Sequence, residues 1–333
     1  MMTTRMRSFC PHRKACVAIG ITSLLLTASS VRAQLTPGDI NQIRGEMGDR
    51  IEATTILSGD FGMEGASFNT GNSGDLKLEK FGGAGDIGDP KPLGNLPIGW
   101  QPRLQGEMGY LSADDKFSAA YPDLHGSESK FRSFAIQFGG GARLWFDEHL
   151  SIAPTIMGMY GHTENTFYPH SAVPPAIVTQ ARQEGLVDWS ADTWTIRPAA
   201  NIQYVYTWRR TVITLSSDPT YFHTESFHTS NPGVSVNGDS ETWENKIDVD
   251  VPLGKSLWGH ELRTGGYFSR TELMGNLKQG LNNNDYLYEI HGRLVLDYLN
   301  QLWKVQWIGI GYSYLWGRSF DGYSLGLDIA FRF

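Results

Sequence analysis

The 333-residue chain holds 28 basic and 35 acidic side chains, net −7, with 12% aromatic residues, 38 glycines and a mean hydropathy of −0.30. Five basic residues and no acidic ones precede Gln34, so the remainder carries 23 basic against 35 acidic side chains, a balance that argues against nucleic acid as a partner. Beyond the N-terminal segment no apolar run is long enough for a spanning helix.

Arg5, Arg7, Arg13 and Lys14 form a basic start, and Ala15 to Leu26 form an apolar core. Val31-Arg32-Ala33 offers a small-residue cleavage site, so residues 1–33 read as an export signal. The apolar core is too short for a transmembrane anchor. Cys10 and Cys16 both lie in this segment, which leaves the mature chain with no expected disulfide or cysteine metal site. In residues 34–52, Ile40, Ile43, Met47 and Ile51 recur at helical spacing after Pro37-Gly38-Asp39 and predict a short amphipathic helix. The lumen of a barrel and the periplasm both suit it, and the residues leave both open.

From residue 53 to 333 the pattern is all-β. Residues 53–67 and 75–81 read as two strands, joined by the Gly/Pro-rich stretch 82–97 to ten more. Those ten start near 98, 131, 149, 193, 210, 243, 260, 286, 303 and 320, alternating apolar with polar or small residues, less regularly in the one from 210. Ile196, Pro198, Ala200, Ile202, Tyr204 and Tyr206, for example, lie opposite Arg197, Asn201 and Gln203. A strand rising ~3.4 Å per residue and tilted ~40° advances roughly 2.6 Å per residue along a membrane normal. The ten steps from Ile196 to Tyr206 then span about 26 Å, the height of the ~25 Å apolar band of an outer-membrane barrel. Trp194 and Trp208 fall at its two edges, where aromatic girdles belong.

Short turns are expected at Asp147-Glu148, Arg209-Arg210, Pro252 to Ser256 and Asn300-Gln301, and long loops at 112–130, 161–191, 223–241 and 270–284. This asymmetry is that of a transmembrane antiparallel β-barrel with periplasmic turns and outer loops. The expectation is twelve strands, or ten without the two N-terminal ones, with the C-terminus periplasmic. In the last strand Tyr323, Leu325, Leu327, Ile329, Phe331 and Phe333 share one apolar face and are expected to form the signal read by the barrel-assembly machinery. Inward parity falls on Arg103, Glu107, Arg143, Arg197, Glu244, Lys246, Asp248, Asp250, Glu261, Arg263, Glu289, Arg293, Asp328 and Arg332. Their mixed signs favour pairing within a polar lumen over a strongly selective single-sign pore.

Three stretches resemble the solitary outer-membrane autotransporter-like β-barrel family: residues 99–111 (GWQPRLQGEMGYL), 245–254 (NKIDVDVPLG) and 320–326 (FDGYSLG). The resemblance covers most of residues 50–333. It implies a twelve-stranded translocator-like barrel without a large secreted passenger, and gives architecture and location rather than an activity.

One run carries possible chemistry. His228-Thr229-Ser230-Asn231 is similar to the His-x-Ser-Asn run of outer-membrane phospholipase A and the lipid A deacylases, in which a His serves as base to a Ser on the lipid-facing surface. Glu241 or Asn245 would have to orient His228, and Pro232 departs from the small residue those families place there. His162, His170, His223, His228, His260 and His291 show no close metal-ligand spacing, and no Walker loop or dinucleotide fingerprint calls for a cofactor. The sequence thus reads as a non-enzymatic barrel among outer-membrane lipids, structural or a narrow pore, with lipid hydrolysis as the alternative. It names neither a solute nor an extracellular partner.

Overall fold

The computed structural model describes residues 37–60, 66–69, 75–116, 127–170, 175–231, 233–281, 283–297, 305–318 and 321–331. The alternation builds one sheet in which every strand runs antiparallel to its neighbours. Its strands are β1 (Ala66–Asn69), β2 (Asp75–Asp86), the two-residue β3 (Lys91–Pro92), β4 (Gly99–Lys116), β5 (Glu128–Trp145), β6 (Leu150–Tyr168) and β7 (Trp189–Trp208). They continue with β8 (Thr211–Thr229), β9 (Asn237–Leu257), β10 (His260–Met274), β11 (Tyr286–Asp297), β12 (Val305–Gly317) and β13 (Asp321–Phe331).

From β4 to β13 each strand pairs with the next in sequence, and β4 pairs back to β2. The circuit closes through β1, whose four residues bridge Asp321–Ser324 of β13 and Asp75–Leu78 of β2. Among the described residues twelve strands therefore form the wall, with β3 laid against the start of β4. The wall has a long-connection end and a short-turn end.

Two differences from the sequence reading have local causes. The hairpin expected at Pro252 to Ser256 turns at Trp258-Gly259 instead, because both residues hold positive φ (54° and 83°), the geometry of a two-residue hairpin loop. Pro252, paired with Arg263, lies beside a register shift in the β9–β10 ladder, a position where strand prolines are tolerated. At the other end, strand runs into the expected loops 161–191, 223–241 and 270–284, through Tyr168, Thr229 and Met274, so the wall rises past the apolar band. The turn expected at Asn300-Gln301 lies outside the described residues.

The third difference concerns residues 53–60, expected as strand. They are helical: α1 runs Pro37–Asp60, two turns beyond the predicted end at 52. Ala53, Ile56 and Leu57 extend the apolar stripe of Met47 and Ile51 at spacings of three and four, and the packing rewards that period over a strand's. Gly45, Gly48 and Gly59 give α1 poor intrinsic stability, so it is tertiary packing that holds it.

That packing is inside the barrel. Near the middle of α1, Met47 and Ile51 are buried against Leu186, Val234 and Val236 of the long connections and Trp189 at the start of β7. The C-terminal half buries Ile56 and Leu57 against inward side chains of the wall, including Leu78, Leu111, Phe222, Leu287 and Leu315. Two further helices, α2 (Pro175–Gln183) and α3 (Gly275–Gly280), lie in the connections at this end, and Leu277 of α3 joins the same core. The outward face is the reverse: Phe138, Ile156 and Leu325 are 67%, 62% and 67% exposed, while inward Ala135 and Gln137 are 0% and 2% exposed. An apolar exterior on a closed sheet is the arrangement lipid requires.

Candidate functional site

The lumen has two storeys. In the upper one, polar contacts fix α1 at defined depths. Arg44 donates to the backbone oxygen of Glu184 at 2.9 Å and to its carboxylate at 3.1 Å. Glu52, fully buried, accepts from Ser240 Oγ at 2.6 Å and from Asn276 Nδ2 at 3.1 Å, and Ser240 Oγ also receives the Leu277 N–H that opens α3. Burial pushes the Glu52 carboxyl up to about 7 against the pull of those two bonds, with Asp49 and Asp239 adding to the rise. Deeper, Ser58 Oγ meets Ser133 Oγ at 3.1 Å, and Gln137 Nε2 donates to the Gly59 carbonyl at 2.6 Å.

Close approach is possible because the wall is stripped of side chains where α1 lies. A Cβ on Gly109 of β4 would sit 2.0 Å from the Ser58 carbonyl oxygen, and one on Gly161 of β6 would sit 2.5 Å from Thr55 Cγ2. Both glycines read in the sequence only as small inward or outward positions. The contact with a helix is what requires them.

In the lower storey, beneath the end of α1, charges pair along the wall. Arg103 and Arg143 both bind Asp86 of β2 at 2.8 Å, and Arg143 also reaches Ser151 at 2.9 Å and Gln203 at 2.8 Å. Glu107 accepts from Gln137 at 2.9 Å and lies 3.8 Å from Lys80. Arg293 forks onto Asp248 with two bonds of 2.7 Å, and Arg263 holds Asp250 at 2.9 Å. Lys246 pairs with Glu244 at 3.2 Å, Tyr267 Oη donates to Glu289 at 2.7 Å, and Glu261 bridges Arg210 and Arg263 near the turns. Arg197 is buried, its guanidinium over the Phe222 ring.

The side chain of Asp328 and the whole of Arg332 lie outside the described residues. Asp86, Lys80 and Asp218 were missed by the sequence reading. Their signal was there for Asp86 and Lys80, which share the parity of Leu76 and Leu78 on β2. A strand read as ending at 81 hid the first.

Of the expected C-terminal signal, Tyr323, Leu325 and Leu327 are exposed on the outward face. The Ile329 and Phe331 side chains and all of Phe333 lie outside the described residues.

The His228 run sits at the end of β8, at the long-connection rim, with His228 exposed. Its imidazole is oriented by neither Glu241 nor Asn245: Asn245 accepts instead from Ser217. Asp192 of β7 does so, meeting His228 Nδ1 at 3.1 Å while also binding His162 Nδ1 at 2.6 Å and Tyr160 Oη at 2.8 Å. Ser230 Oγ accepts from the Ser190 N–H at 2.8 Å. Among the described residues, no three His, Cys, Asp or Glu side chains converge as a metal site.

A helix-filled antiparallel barrel with an outward apolar belt has counterparts among solved structures, at identities that show the fold alone. The chain is similar to the transport unit of the autotransporter AIDA-I from Escherichia coli, with a TM-score of 0.51 and 10% identity over 85% of this chain and 99% of that one. It is similar to the beta domain of the Bordetella autotransporter BrkA, with a TM-score of 0.50 and 11% identity over 81% and 98%. The translocator domain of the autotransporter NalP from Neisseria meningitidis gives a TM-score of 0.50 and 10% identity over 86% and 94%. No curated protein matches the chain. The solitary outer membrane autotransporter beta-barrel domain matches residues 94–329, most of the wall from β4 to β13, and the chain belongs to that family.

Proposed function

We propose that the protein is an integral outer-membrane barrel of translocator-like architecture whose lumen is held shut at the loop end by α1, with a structural or narrow-pore role. The observation that carries the reading is the position of α1, buried in both hydrophobic clusters with its middle among the long connections. With those connections outside, the short turns and the C-terminus face the periplasm, following the loop asymmetry of such barrels. The outward set beginning at Tyr323 is then the segment offered to the barrel-assembly machinery, and the lumen charges serve as mutually neutralising walls. Planar-bilayer recording tests the plug: deleting residues 37–60 raises single-channel conductance at least several-fold over the intact chain. Equal conductance with and without the segment overturns it.

A second reading, ester hydrolysis on lipid, is favoured by one contact. Asp192 holds the Nδ1 of His228, which would leave Nε2 for Ser230, the residue just past the end of β8. In this reading the wild type cleaves lipid esters in detergent micelles and Ser230→Ala abolishes the activity. An inactive wild type removes it.

A further inference from the structure

Beneath α1 lies a cavity of ≈ 350 Å³ in which no helix residue takes part; wall side chains from β4 to β12 line it. By volume it holds roughly a dozen waters, enough for an amino-acid-sized solute with some water left. Its charges are sorted by wall. On one side stand Arg103 and Arg143, two guanidinium groups that share the single carboxylate of Asp86, and Arg197 of β7 adds a third guanidinium to the lining. On the other stand Asp218, Glu244 and Glu289, with Lys246 bound to Glu244. Asp218 is hydrogen-bonded by the neutral amide of Asn201 and Glu289 by the neutral hydroxyl of Tyr267, so the single Lys246 ammonium serves three carboxylates.

Each wall therefore has charge beyond what its own ion pair neutralises, and the two excesses are opposite in sign. A simple anion entering the cavity gains the guanidinium groups but faces three carboxylates. A simple cation meets the converse. A molecule bearing both charges satisfies both walls at once, and its carboxylate suits the planar donors of arginine.

The geometry points to a binding site for a small zwitterion, with its carboxylate toward Arg103 and Arg143 and its ammonium group toward Asp218, Glu244 and Glu289. The inference rests on the barrel reading above but not on the barrel conducting, so binding is measured directly on the full chain folded in detergent. Titration calorimetry at pH 7 compares γ-aminobutyrate and 6-aminohexanoate with butyrate and butylammonium. At least one zwitterion binds tenfold or more tightly than either singly charged compound. Asp218→Asn and Arg103→Gln each lower that affinity at least tenfold, and Asp218→Asn does not weaken butyrate. The proposal is overturned if neither zwitterion outbinds the singly charged compounds, or if both folded variants bind the zwitterion as the wild type does. Heat-modifiable gel migration confirms folding; should a variant fail it, the four-ligand comparison on the wild type decides alone. A silent bilayer with tight zwitterion binding would discard the pore and keep the site.

Discussion

Glu52 is a buried carboxyl whose described hydrogen-bond partners, Ser240 and Asn276, are neutral. Its value of about 7 lies above the ordinary carboxylate value of 4.5, so the folded state holds the proton more tightly than the unfolded one. Stability from this group is therefore undiminished below about pH 4.5, falls as pH rises toward 7, and stays reduced above it. The shift corresponds to about 3 kcal/mol at most. Glu52→Gln removes the penalty, with the Asn276 amide turned to accept. Denaturant midpoints of the detergent-folded barrel are then expected to rise at pH 8 and to match the wild type at pH 4.5. A variant that loses stability at both pH values would show that the ionised carboxylate helps to hold α1.

At the scale of elements, α1 and the wall are fitted to each other. The alternation breaks where they touch: Tyr110-Leu111, Tyr286-Leu287-Tyr288 and Tyr314-Leu315-Trp316 place a buried leucine beside lipid-facing aromatics. Such runs are legible in the sequence as apolar on both faces, but a single strand does not say what covers its inner side. Gly109 lies in the same layer. Gly109→Val drives two methyl groups toward the last turn of α1 in a strand that otherwise tolerates valine, an overpacking worth ~1–3 kcal/mol. Trypsin is expected to cut after Arg44 or Arg50 several-fold faster in this variant, while heat-modifiable migration is retained. Gly158→Val, where an added Cβ meets nothing within 4 Å, leaves cleavage unchanged. Equal cleavage of both variants would show that the helix does not depend on this approach.

For the whole molecule, the interior divides into an apolar storey filled by α1 and a polar storey closed by ion pairs. The sequence by itself determined the period of the wall and its ten successive strands, with starts within six residues of those observed. That was possible because a strand's two-residue period sorts lipid-facing from lumen-facing side chains locally, with lipid on one side throughout. Only the tertiary structure decided that residues 53–60 continue a helix, that α1 lies in the lumen, and that Asp86 serves two arginines at once. These outcomes depend on contacts across the barrel between residues far apart in the chain, and no local period records them. The same distance separates Asp192 from His228 and the guanidinium wall from the carboxylates opposite it. Parity pointed those charges inward; only closure of the sheet set one sign against the other.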